Sequence, residues 1–282
     1  MLEYLEIRFY YFASVFLARM LQIFLLFGGN MQVIFIHHSC FLVELDQMVL
    51  IFDYFDGNKV DSYDFRGNIP TYSEDTPIYL FASHCHKDHY DLDTLRWTEK
   101  YKNIKYIFSK DIKISPNFLK KHGIDPQVRE RVTFVSPSNN YKVDDIEITT
   151  LKSTDAGVAF YINVNGVYIF YAGDLNDWTW EGVGDLINGR QRKAYRHEIS
   201  RLSDKPIHLA FVPMDSRLNV HQADAIDYFV RNTDAEFIFP MHMWKDYSGI
   251  AKYIKRLTNK ALSDRIIDIS RENQVFPIEE NY

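Results

Sequence analysis

What this chain has little of narrows its reading first. Only two cysteines, Cys40 and Cys85, occur in 282 residues. They make no disulfide framework, and a reducing, cytoplasmic compartment is the one expected. Positive charge is not in excess: 32 Lys and Arg stand against 38 Asp and Glu, a formal net charge of −6. That balance gives no electrostatic ground for a nucleic-acid partner or for stable association with an anionic membrane. Internal repeats and low-complexity linkers are missing as well. What remains is 46% hydrophobic and 25% charged, the make-up of a globular chain with length enough for a sizeable core. Aromatic residues are plentiful at 16%, so aromatic-walled pockets are compatible with the composition.

A bilayer-length apolar run is also lacking. The opening "MLEYLEIRFYYFASVFLARMLQIFLLFGGN" places Glu3 and Glu6 where a secretory signal carries positive charge. Between Arg8 and Arg19 the apolar run is about ten residues long, well short of the ~20 that span a membrane. Residues 1–30 therefore read as an apolar N-terminal extension to a domain that begins at Met31 and runs to residue 282. An amphipathic packed or interfacial helix and a weak anchor are the competing readings.

From Met31 onward the pattern is regular. "QVIFIHHSCFLVELDQMVLIFDYF" predicts two or three short strands, with Asp46-Gln47 turning between Phe41–Leu45 and Met48–Phe52. A polar loop runs to Pro77, and "IYLFAS" is a buried strand. Helices are expected over "DLDTLRWTEKY", with Asp91 or Asp93 as cap, and over "SPNFLKKH". Strands dominate residues 131–171, including a hairpin at Asn165-Gly166. A long polar helix over 184–202 follows, then strand "IHLAFVP", helix "HQADAIDYFVRN", strand "AEFIFP", helix "YSGIAKYIKRL" and a short tail strand. The two halves suggest an α/β architecture of two packed sheets with helices outside.

The chemistry concentrates at the end of strand "IYLFAS". His84, His86, Asp88 and His89 fall within six positions as H-x-H-x-D-H. Imidazole and carboxylate are the side chains that bind zinc and similar ions. Alternate residues of an extended segment share a side, so His84 and His86 can chelate one ion while the following turn aims Asp88 and His89 at a second. The competing reading is a histidine-rich surface loop or a mononuclear site.

This motif after a strand resembles the signature of the metallo-β-lactamase superfamily. The resemblance implies an αβ/βα four-layer sandwich of two mixed sheets with a binuclear metal site between them. Its other elements have counterparts here: Asp53 in "VLIFDYF", Asp174 in "VYIFYAGD" and His242 in "AEFIFPMHMW". By resemblance, Asp174 bridges two ions, His242 binds one, and Asp53 orients a ligand histidine. The stretches "HHSCFLVEL", "STDAGVAFYI" and "AGDLNDW" look most similar to the branch that includes ascorbate-6-phosphate-lactonase-like hydrolases. One element departs from the pattern. Relatives carry a further ligand histidine between the cluster and Asp174, but here the only histidine in that interval is His122, in a predicted helix. Asp155, before strand "GVAFYI", is the natural substitute, and a carboxylate there would shift preference towards harder ions.

The metal ligands expected are thus His84, His86, Asp88, His89, Asp155, Asp174 and His242, holding two divalent ions, Zn²⁺ first and Mn²⁺ as the alternative. Asp88 is the expected catalytic group, orienting the nucleophile or moving its proton. His38 is a candidate substrate contact. The activity implied is hydrolysis of a small ester, lactone or phosphodiester by metal-activated hydroxide. A phosphodiesterase or nuclease of the same fold, and a non-catalytic metal-binding protein, are the alternatives. Nothing in the pattern sets an oligomeric state.

Overall fold

A computed structural model describes residues 31–60 and 63–278. The apolar N-terminal extension lies outside the described residues. Thirteen strands form two sheets among the described residues. The first contains β1 (Met31–His37), β2 (Cys40–Leu45), β3 (Met48–Phe52), β4 (Ile78–Ala82), β5 (Ile104–Ser109), β6 (Val132–Val135) and β13 (Gln274–Ile278), in the order β13-β1-β2-β3-β4-β5-β6. The second contains β7 (Asn140–Val143), β8 (Ile146–Lys152), β9 (Val158–Val164), β10 (Val167–Tyr171), β11 (Leu209–Pro213) and β12 (Phe237–Met241), in the order β12-β11-β10-β9-β8-β7. Both sheets are mixed: β3 to β6 run parallel, as do β10 to β12, while the hairpin-linked strands pair antiparallel.

The period of two along each strand sorts side chains between layers. In β1, Val33 and Phe35 enter the core between the sheets, whereas Ile34 and Ile36 face the other way, into a second cluster that includes Leu95, Leu119 and Ile124. Much of the aromatic content goes into the inter-sheet seam. Phe52 stacks on Tyr171 at 4.7 Å, Phe41 meets Phe211 at 4.8 Å, and Phe81 meets Phe160 edge-on at 5.3 Å. Such pairs add specificity to the area they bury. Helices cover the outer faces: α1 (Pro116–Lys121) lies over the first sheet, and α2 (Asp185–Ser200), α3 (Asp224–Asn232) and α4 (Ser248–Arg256) over the second. A short α5 (Lys260–Ser263) follows. This is the expected four-layer arrangement.

Three local expectations need correction. The helix after the histidine cluster, Leu92–Glu99, is 3-10, capped by Asp91. Thr94 and Thr98 return their hydroxyls to carbonyls three residues back, at 2.7 and 3.0 Å, which suits the tighter winding. The "HQADAIDYFVRN" helix is shorter than its pattern, because a 3-10 segment (Ser216–His221) with Asn219 at φ 54° precedes α3. Strand β7 was not anticipated. It is a short edge strand in which only Val143 is buried, too weak a pattern to read alone.

Candidate metal centre

The parallel strands of both sheets deliver their C-terminal ends to one edge of the sandwich, where α/β folds place their sites. Asp53 follows β3, the cluster follows β4, Asp174 follows β10, Asp215 follows β11 and His242 follows β12. Each leaves its strand by a sharp turn. His38, Asp53 and His242 have φ of 49°, 46° and 64°, left-handed conformations that cost energy and recur at functional sites. Two glycines let the sheets close around the cluster. A Cβ at Gly157 would lie 1.9 Å from the Ser83 carbonyl oxygen, and one at Gly173 would lie 2.7 Å from the Ser83 Cβ.

The cluster itself is a run of bends rather than an extended segment; the backbone N–H groups of His89 and Tyr90 both donate to the His86 carbonyl at 3.0 Å. His84 and His86 still fall together, as a group with Asp174. A second group holds His38, Asp88, His89 and His242, and in each group the donor atoms lie within 4.8 Å of one another. The Asp174 carboxylate sits between them. Its Oδ2 is 3.3 Å from His84 Nε2, and its Oδ1 is 3.2 Å from His89 Nε2 and 3.4 Å from His242 Nε2. Asp88 Oδ2 lies 3.7 Å from both His89 Nε2 and His242 Nε2.

The outer nitrogens of two of these rings are fixed by buried carboxylates. His89 Nδ1 is 2.7 Å from Asp53, and His242 Nδ1 is 2.9 Å from Asp215. Asp53 also accepts from the Ser83 amide and hydroxyl, both at 2.6 Å, and from the Tyr171 hydroxyl at 2.9 Å. An imidazole held this way on Nδ1 presents Nε2 inward as a ligand. Consistently, Nε2 of His38, His84, His89 and His242 and Oδ1 of Asp174 are buried without a hydrogen-bond partner among the described residues. Unpartnered buried donors and acceptors are costly, and their convergence fits divalent cations.

Charge coupling is strong here. Burial disfavours the ionised form of Asp174, yet His89, His242 and His84 together hold its carboxyl well below the ordinary range. Burial likewise opposes ionisation of Asp88, but His89, His38 and His242 prevail and keep it ionised. For His89 burial favours the neutral ring, and the surrounding Asp174, Asp88 and Asp53 outweigh it, raising the pKa well above 6.5. His38 is the contrast: burial first, then His242, lower it to about 3.

Of the residues expected from sequence, Asp53, His84, His86, Asp88, His89, Asp174 and His242 are brought together. Asp155 is exposed and lines the same cavity as His86 and Asp174, but its carboxylate belongs to neither ligand group. His38, expected as a substrate contact, stands within the second group. Asp215 is not among the residues expected from sequence, although "AFVPMD" carries the same strand-then-carboxylate signal as Asp53 and Asp174. The cavity measures about 440 Å³ and is walled by Trp178, Trp180 and Trp244. A larger groove of about 620 Å³ lies elsewhere, beside Lys105 and Asp144, which pair with each other; it contains no histidine.

Two mixed sheets with this His/Asp cluster at their shared edge define a metallo-β-lactamase fold. The profile of the Beta-lactamase superfamily domain matches residues 32–242, and the chain belongs to that superfamily, the metallo-β-lactamase superfamily. Solved structures share the architecture at low identity. Igni18, a metallo hydrolase from the archaeon Ignicoccus hospitalis, superposes with a TM-score of 0.58 at 14% identity, over 90% of this chain and 100% of its own. A protein from Parabacteroides distasonis described as a metal-dependent hydrolase gives 0.54 at 17%, over 86% and 95%. The metallo-β-lactamase fold protein YhfI from Bacillus subtilis gives 0.51 at 12%, over 88% and 100%. No curated protein sequence matches the chain. Among the described residues no helix is long and apolar enough to cross a membrane.

Proposed function

We propose that the chain is a binuclear metal-dependent hydrolase acting on a small ester, lactone or phosphodiester. The observation that carries this reading is the convergence of unpartnered Nε2 atoms on the Asp174 carboxylate. His84 and His86 would hold one ion, and Asp88, His89 and His242 the other, with Asp174 shared. Asp155, on the rim, is assigned to complete the first set by turning inward. Zn²⁺ suits the imidazole-rich second set, and Mn²⁺ suits the added carboxylate.

Divalent ions held by these residues would supply an acidified water and positive charge to offset the charge that develops on the substrate oxygen. The protein's own groups do the rest. Asp88, partly open to the cavity and ionised, accepts the proton of the attacking water and returns it to the leaving group. Asp53 and Asp215 keep His89 and His242 in the tautomer that faces inward. Trp178, which donates from Nε1 to the Asp174 carbonyl at 3.1 Å, and its stacked neighbour Trp180 wall the cleft against bulk water. The likeness to lactonase-like sequences makes lactones the first substrates to try.

The test is turnover of p-nitrophenyl acetate, dihydrocoumarin and bis-p-nitrophenyl phosphate by protein loaded with Zn²⁺ or Mn²⁺. Hydrolysis of one of them, abolished in Asp88→Asn, is expected. Fully loaded protein that turns over none would leave a metal-binding protein instead.

A further inference from the structure

We propose that the cleft selects substrates carrying an anionic group, a carboxylate or a phosphate, and that Arg217 receives it. This rests on the hydrolase reading above for its place in a reaction, but Arg217 belongs to neither group of metal-binding donors.

Arg217 stands in the 3-10 segment two residues beyond Asp215 and lines the cavity beside His86, Asp88 and Asp174. Among the cavity-lining residues it is the only lysine or arginine. Its guanidinium is held from one side: Nε lies 3.0 and 3.1 Å from the two Asp215 oxygens, and Nη2 lies 2.6 Å from Oδ2. The Trp244 ring flanks it at 4.5 Å and the Trp180 ring at 5.8 Å. The remaining nitrogen, Nη1, makes no hydrogen bond among the described residues, and the side chain is 41% exposed and lines the cavity.

A fork fixed by a carboxylate and two indoles loses little freedom when it binds a second partner. Flanking aromatic surface also lowers the local dielectric and strengthens a charge contact there. Asp215 also meets His242 and Trp244, whose Nε1 is 3.4 Å away, so its oxygens are shared among three partners and leave the Nη1 edge of the guanidinium uncovered. A bound anion would therefore face the free edge of Arg217 while its apolar part lies on the tryptophans. The cavity, about 440 Å³, admits a small organic acid rather than a polymer. If Arg217 only anchored Asp215, its loss would loosen His242 but leave charge selectivity alone.

The full-length, metal-loaded chain is assayed with three p-nitrophenyl esters: neutral acetate, anionic hemiglutarate and anionic 4-phosphonobutyrate. The two anionic arms separate carboxylate from phosphate preference. Tryptophan fluorescence titrated with glutarate reads binding without turnover, since Trp178, Trp180 and Trp244 line the cavity. In Arg217→Gln the ratio of kcat/KM for anionic over neutral ester is expected to fall roughly ten- to a hundred-fold, through KM, at matched metal content. Arg217→Lys should keep part of that preference and also serves if the glutamine variant does not fold. Wild-type and variant ratios that agree, with equal glutarate affinity, overturn the proposal and leave the hydrolase reading intact. Arg217-dependent glutarate binding without hydrolysis of any ester would overturn the hydrolase reading while supporting the anion site.

Discussion

His38 Nε2 lies 3.4 Å from Asp88 Oδ2, which joins the end of β1 to the histidine cluster nearly fifty residues later. The His38 ring also packs on His242 at 4.2 Å and on Trp244 at 4.2 Å. Burial holds it neutral through the working pH range, its pKa lowered to about 3, so its inner nitrogen carries a lone pair or a proton as its tautomer dictates. Replacing His38 with Ala is expected to weaken binding of the ion proposed for Asp88, His89 and His242 by roughly ten-fold, through the loss of its 3.4 Å contact with Asp88. Competition with a chromogenic chelator measures it. Unchanged affinity with a raised KM would return His38 to a substrate contact.

Asp215 is expected to matter although it reaches no ion. Asp215→Asn removes the charge that fixes His242 Nδ1 at 2.9 Å and should lower metal affinity by roughly ten- to a hundred-fold. The same chelator assay applies. Circular dichroism is expected to show the fold retained.

The pH dependence of metal binding follows from His89. In the metal-free protein its pKa is raised well above 6.5, because burial is outweighed by Asp174, Asp88 and Asp53. A metal must displace that proton, so affinity rises with pH until the raised value is passed. The charged His89 contributes stability that is fully present below its unfolded value of 6.5 and lost as pH rises through the raised folded value. Asp174, depressed, contributes stability present above 3.8 and lost as pH falls through its folded value. Metal-free protein should thus lose melting temperature towards alkaline pH, and metal-loaded protein should not. Calorimetry in two buffers of different ionisation enthalpy should also register proton release on metal binding.

Asp155 divides the ligand set. If it completes the first ion's shell, Asp155→Ala weakens one of two metal-binding steps and spares the other, and Asp155→His raises zinc affinity. Two unchanged steps would confine it to the cavity rim.

Much of this was legible in the sequence because strand ends and ligand spacing are local signals. "VLIFD", "YLFASHCHKDH", "IFYAGD" and "FIFPMH" each show an apolar run ending in a ligand type. What could not be read was proximity across the chain. Tyr171 bonds Asp53 over 118 residues and Tyr171 to the Ser39 carbonyl over 132, contacts set only when the sheets pack. Asp215 showed the right signal, but without a motif around it a strand-end carboxylate reads as a cap, a role it also fills for the 3-10 segment. The missing third histidine singles out Asp155 by position, whereas only packing sets His38 beside Asp88, His89 and His242.

Metal analysis of the folded chain decides whether a binuclear centre is built around Asp174. After reconstitution with Zn²⁺ or Mn²⁺ and removal of excess, about two ions per chain are expected, with a clear loss in Asp174→Ala and in His89→Ala. A folded wild-type protein that retains close to no metal under those conditions would exclude a resident metal centre at Asp174.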